Sequence, residues 1–188
     1  MSYEVIAIGA SWGGLNAVGT LLEGIPDELD QAIVVAQHRS PESSRGVLES
    51  LLQRHIRRPV LEPSDKQPVE ASTVYIAPAD YHLLVDDRHF ALSIDARVQF
   101  ARPSIDVLFE SVAQAYRDRA IGIVLTGSNE DGAAGLAAIK RNGGVSIVQD
   151  PKTAERRAMP DAAIAGSVTD AVLTLEQIPS FLYGLCCP

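Results

Sequence analysis

The stretch Val5-Ile6-Ala7-Ile8-Gly9-Ala10-Ser11-Trp12-Gly13-Gly14 constrains the fold more than any other part of the chain. A short apolar run bounded by glycine reads as a buried strand, and Leu15, Val18, Leu21 and Leu22 follow at helical spacing. A serine therefore stands at a strand-to-helix turn, and Gly9, Ser11 and Gly13 fit the G-x-S-x-G spacing in which a sharp turn exposes a hydroxyl. The pattern recurs at Ile121–Leu125, which runs into Thr126-Gly127-Ser128-Asn129-Glu130-Asp131-Gly132. Leu136 and Ile139 then continue as a helix that Gly143-Gly144 ends. Ala32–Ala36, ending in Gln37-His38, and Val145–Gln149 read as further buried strands. This alternation predicts an α/β fold: a doubly wound, mainly parallel sheet with helices on both faces.

Between these units, Glu42–Arg54 carries Val47, Leu48, Leu51 and Leu52 at helical spacing, with Ser40-Pro41 as a start signal. Val74–Ala77, Leu83–Val85 and Phe90–Ile94 are short β-like runs, and Asp86–His89 between the last two predicts an antiparallel hairpin excursion. Arg102-Pro103-Ser104 opens a helix with Ile105, Leu108, Val112 and Ala115 on one face, proline suiting the first helical position. Met159-Pro160 starts a short helix, and Thr174 with Gln177 has capping-box spacing ahead of a final one.

A length of 188 residues suits one domain, 1–188. The net charge of -8 argues against nucleic acid and against anionic lipid as partners, although the local clusters Arg54/Arg57/Arg58 and Arg156/Arg157 suit an acidic protein. The two cysteines, Cys186 and Cys187, are adjacent, which gives neither a disulfide framework nor metal-ligand spacing. No apolar run approaches the ~20 residues of a membrane span and no cleavable leader is visible, so a cytoplasmic location without membrane insertion is expected.

In an open α/β sheet the ligand crevice lies outside the carboxyl ends of the strands. Three such ends carry the groups of a nucleophilic triad: Ser11, His38, and Asp131 or Glu130. Serine needs a base at neutral pH, histidine titrates near it, and a buried carboxylate fixes the imidazole tautomer. The order Ser, His, Asp differs from that of α/β-hydrolases. A phosphate-binding turn is the competing reading, but neither G-x-G-x-x-G nor a P-loop is present, and the second strand lacks an acidic end. His55, His82 and His89 read as surface or packing residues.

Six short segments in a shared order resemble the catalytic domain of the CheB family, the chemotaxis-type protein-glutamate methylesterases. They are Gly9–Gly14, Gln37-His38, Ile76–Leu83, Arg102–Phe109, Leu125-Thr126-Gly127 with Asp131-Gly132, and Ala158-Met159-Pro160. The resemblance spans almost the whole chain. It implies Ser11 as nucleophile, His38 as general base and Asp131 as orienting acid. It also implies hydrolysis of glutamate methyl esters on chemoreceptor-type proteins with methanol released, receptor glutamine deamidation in many members, and no metal or organic cofactor. An oxyanion and substrate pocket near Trp12, Gly13, Ser128 and Met159 is expected, with the Trp12 amide as one donor. The alternative is a weak or inactive receptor-binding module of the same fold.

Three departures stand out. Trp12 is large where relatives have a small residue, which suggests an aromatic-walled entrance. Ser128-Asn129 replaces Met-Gly, with asparagine the replacement best suited to a left-handed backbone. Arg39 follows His38 where methionine is common, and is expected to meet an acidic receptor surface. The chain starts a few residues before its first strand, so no phosphorylation-receiver domain is expected ahead of it.

Overall fold

A computed structural model describes residues 3–166 and 168–187. Its centre is a seven-stranded parallel sheet, built of β1 (Val5–Ala10), β2 (Ala32–Gln37), β3 (Val60–Leu61), β4 (Val74–Ile76), β7 (Ala120–Val124), β8 (Val145–Gln149) and β9 (Ala171–Leu173). The spatial order is β3-β4-β2-β1-β7-β8-β9. The predicted hairpin forms a separate two-stranded sheet, β5 (His82–Asp86) with β6 (His89–Ser93).

Side-chain alternation sorts the strands between two cores. Val5 and Ala7 of β1 face one cluster with Val34, Leu108, Phe109 and Leu136, while Ile6 and Ile8 face the other with Ile33, Val35, Leu21 and Leu182. Helices α3 (Ile105–Tyr116), α4 (Ala133–Arg141) and α5 (Ala158–Gly166) cover the first face; α1 (Gly14–Gly24) and α6 (Ile178–Cys186) cover the second. Strands buried on both faces read as continuous apolar runs, which is why the central four were legible. Strands β3 and β9 have two and three residues and sit at the edges, too short to give a pattern.

Several expectations change. The helix expected over Glu42–Arg54 is α2, only Val47–Leu52, because Gly46 at its N-cap has φ 82 and the residues before it form turns and irregular backbone. Pro103 is not the first residue of α3: Ser104 is the N-cap, its side chain accepting the Val107 amide, and Pro103 precedes it. Leu15 is 38% exposed although its helical partners Val18, Leu21 and Leu22 are buried, since it lies at the mouth of the strand ends. At the last helix the Gln177 side chain accepts the Thr174 amide, half of the expected capping box.

Candidate active site

The parallel pairing of β1 with β2 puts Ala10 beside Gln37, so the next residues, Ser11 and His38, leave neighbouring strands together. Backbone bonds hold that edge: the Ser11 amide donates to Thr126 O (3.0 Å) and the His38 amide to Ala10 O (3.0 Å). Gln37 Nε2 clamps it from within, donating to Ser11 O (2.8 Å) and His38 O (3.0 Å). Gly13 makes the turn with φ 76, and a Cβ there would lie 2.5 Å from Glu155 Oε2.

His38 Nε2 lies 2.6 Å from Asp131 Oδ2. Of the two acidic candidates this selects Asp131, fully buried, whereas Glu130 points its exposed residue to solvent. With its Nε2 proton on the carboxylate, the neutral imidazole keeps its Nδ1 lone pair as the basic atom. Among the described residues no hydrogen bond joins the Ser11 hydroxyl to His38; in unliganded sites such bonds are often long and tighten around substrate.

Asp131 is held by the start of α3. Its Oδ1 accepts from Ser104 Oγ (2.8 Å) and the Asp106 amide (2.9 Å), and its Oδ2 accepts from the Ile105 amide (2.7 Å) as well as His38. Helix N-termini favour negative charge through these unpaired donors. Asp106 returns the arrangement to α4, its Oδ1 accepting the amides of Gly132 (2.9 Å) and Gly135 (2.7 Å). Burial pushes the Asp131 carboxyl up, yet the His38 hydrogen bond and the Asp106 and Ile105 amides outweigh it and hold it below its ordinary range. Burial pushes Asp106 up to about 6, with the Asp131 charge adding to the rise.

His82, expected to be a plain packing residue, braces the same helix start. It is buried, its Nδ1 accepts the Ser104 amide (3.2 Å) and its Nε2 donates to Ala96 O (3.1 Å). Thr126 ties the serine turn to the loop before α5: its hydroxyl lies 3.0 Å from Trp12 O and accepts the Arg156 amide at 2.8 Å. Ser104, Asp106, Gln37 and Thr126 were missed as site residues. All four nevertheless lie in the segments that carry the family resemblance, Gln37-His38, Arg102–Phe109 and Leu125-Thr126-Gly127.

The expected pocket residues separate. Trp12 is 58% exposed on the rim, its indole N–H donating to Glu155 Oε1 (2.8 Å) with the Arg156 guanidinium 5.3 Å from the ring centre. Among the described residues the Trp12 and Gly13 amides donate to no acceptor, which leaves two N–H groups at the start of α1 beside Ser11. Ser128 is exposed in the loop that follows β7. Met159 does not line an open pocket: it is fully buried under Gly127, where a Cβ would meet its Cε at 2.5 Å. Asn129 is not left-handed, since its φ is not positive. Arg39 does not face outward; its nearly buried side chain pairs with Glu62. Arg58 is likewise buried, on Gln31 O and Pro26 O.

Two hollows meet at His38. One of about 380 Å³ is walled by Leu15, Val47, Leu48 and Leu51; the other, about 190 Å³, includes Arg97, Phe100, Arg102 and Asn129.

The chain is similar to known proteins along nearly its whole length. The profile of the family described as CheB methylesterase matches residues 6–182. A Leptospira interrogans protein named putative protein-glutamate methylesterase/protein-glutamine glutaminase is 46% identical over 186 residues, 98% of this chain and 96% of that protein. A Hahella chejuensis protein-glutamate methylesterase/protein-glutamine glutaminase is 40% identical over 93% of this chain but 49% of its own length. The crystal structure of the Thermotoga maritima CheB methylesterase catalytic domain superposes with a TM-score of 0.88 at 30% identity, covering 98% of this chain and all of that one. On the family profile and these relatives, the chain belongs to the CheB methylesterase family.

Proposed function

We propose that this chain hydrolyses methyl esters of glutamate side chains on chemoreceptor-type proteins, with Ser11 as nucleophile, His38 as general base and Asp131 as the group that orients it. The observation that carries this reading is the fully buried Asp131 on His38 Nε2 at 2.6 Å, with Ser11 the register neighbour of that histidine. His38 Nδ1 takes the Ser11 proton as Oγ attacks the ester carbonyl, and the imidazolium is stabilised by the Asp131 carboxylate. The Trp12 and Gly13 amides face the developing oxyanion, and the start of α1 adds its dipole. The histidine then protonates the methoxide leaving group, releasing methanol and an acyl-Ser11 ester. Water, deprotonated by the same imidazole, attacks that ester, and the serine is released with the substrate carboxylate. A glutamine amide follows the same path with ammonia leaving, which suits the glutaminase activity named for the relatives.

We read residues 1–188 as one catalytic domain acting in the cytoplasm; among the described residues no helix is long and apolar enough to cross a membrane. A receptor-binding module without catalysis gains nothing from an ionised carboxylate buried behind a histidine. The test is methanol release from a methylated receptor fragment. Ser11→Ala is expected to lower turnover by about 10^3-fold or more, and equal release by wild type and Ser11→Ala contradicts the reading.

A further inference from the structure

The loop between β6 and α3 ends in a turn whose sequence fits its shape badly. Val98 and Ala101 exchange both backbone hydrogen bonds (3.1 and 2.8 Å), and the two residues between them, Gln99 (φ 49) and Phe100 (φ 62), are both left-handed. Such two-residue turns favour Asn-Gly, because larger side chains are strained there. The strain is not repaid inside the protein, since Phe100 is 95% exposed. The loop beneath is braced: Arg102 donates to Asp80 Oδ1 (2.7 Å), Ile94 O (2.7 Å) and Asp95 O (3.0 Å). A large aromatic ring is thus displayed on a fixed support, at the edge of the hollow that contains His38.

We propose that the Val98–Ala101 turn is a docking lip for the polypeptide that carries the ester, with Phe100 seated on an apolar spot of an acidic segment and Arg97 facing its carboxylates. This rests on the methylesterase reading. A methyl ester is small and uncharged and offers few atoms to recognise, so affinity must come from surface flanking it. The charge pattern selects an acidic occupant: of the arginines lining the hollow beside Phe100, Arg39 is committed to Glu62 and Arg102 to Asp80, which leaves Arg97 as the positive group on display in a chain of net charge -8. Arg97 is half exposed, and its one ion contact, Asp80 at 3.7 Å, is already taken by Arg102.

The test follows methanol release against the concentration of a methylated receptor fragment, for wild type, Phe100→Ala, and the double variant Gln99→Asn with Phe100→Gly. The double variant installs the residues the turn favours, so its thermal midpoint is expected at or above that of wild type, which separates docking from folding. Both variants are expected to raise KM by about tenfold, the loss of one aromatic anchor, with kcat within about twofold. Release by wild type with KM unchanged in both variants overturns the docking lip alone. A fall in kcat at constant KM also overturns it, by making the turn a support for the triad. No release by wild type refutes the methylesterase reading and the lip with it.

Discussion

Asp131 and Asp106 are two buried carboxylates at the starts of neighbouring helices, and each accepts the amides of the other's element. Asp131 uses both oxygens, against two amides, a hydroxyl and an imidazole, and is held ionised. Asp106 uses a single oxygen, Oδ1, against two amides, and is pushed up to about 6. Four donors outweigh the cost of burying a charge; two donors beside another carboxylate do not. Proximity of like charges thus leaves one aspartate for chemistry and turns the other into a brace.

Substitutions that treat the two aspartates alike break the comparison where their partners differ. Asp131→Asn must turn one N–H pair toward donors, whichever way the amide lies. Turnover on methylated receptor is expected to fall by about 10^3 to 10^4, from loss of the charge behind the imidazole, with far-UV circular dichroism confirming that the fold persists. Asp106→Ala strands the Gly132 and Gly135 amides and loosens the Asp131 turn. A loss of about 2 to 4 kcal/mol in urea unfolding is expected, and a turnover loss of about tenfold.

Asp106→Asn keeps an oxygen for both amides and removes only the charge, so turnover within about threefold of wild type is expected. Its signature is in stability against pH. A carboxyl raised from 3.8 to about 6 favours the folded state through its proton; this contribution is complete below pH 3.8 and is lost as pH rises through about 6. The variant is therefore expected to gain on wild type across that window, by roughly 3 kcal/mol in all. The lowered Asp131 has the opposite sign: its contribution is present above the unfolded carboxylate value and is lost as pH falls through the folded one. Urea midpoints between pH 4 and 7 read the Asp106 slope, whereas that of Asp131 lies below its ordinary value of 3.8 and is read on the acid side. At the rim the smallest effect is expected, Trp12→Ala costing about 1 kcal/mol in thermal unfolding through its Glu155 and Arg156 contacts.

The strands at the centre of the sheet were legible because burial on both faces leaves one long apolar signal, and Ser11 and His38 because each directly follows such a strand. The pocket was read less well. Met159 lies in a family-like segment, yet that segment packs beneath Gly127 rather than opening to the cleft. Arg39 looked free beside His38 and is committed to Glu62, a partner 23 residues away. Phe100 carried no signal, because exposure and a positive φ are properties of a folded loop.

What the sequence by itself determined was the alternating α/β order, the polar residues at the strand ends and the motif set of the CheB methylesterase family, all of which depend on local periodicity and turn chemistry. Only the tertiary structure decided that Ser104, Asp106 and His82 fix Asp131 where it meets His38, and that Phe100 stands at the rim. These depend on how α3 docks against the end of β1. A Cβ on Gly9 would come within 2.3 Å of Ile105, so that close approach, which brings the amides of α3 to a carboxylate 26 residues away, exists only once the layers have packed.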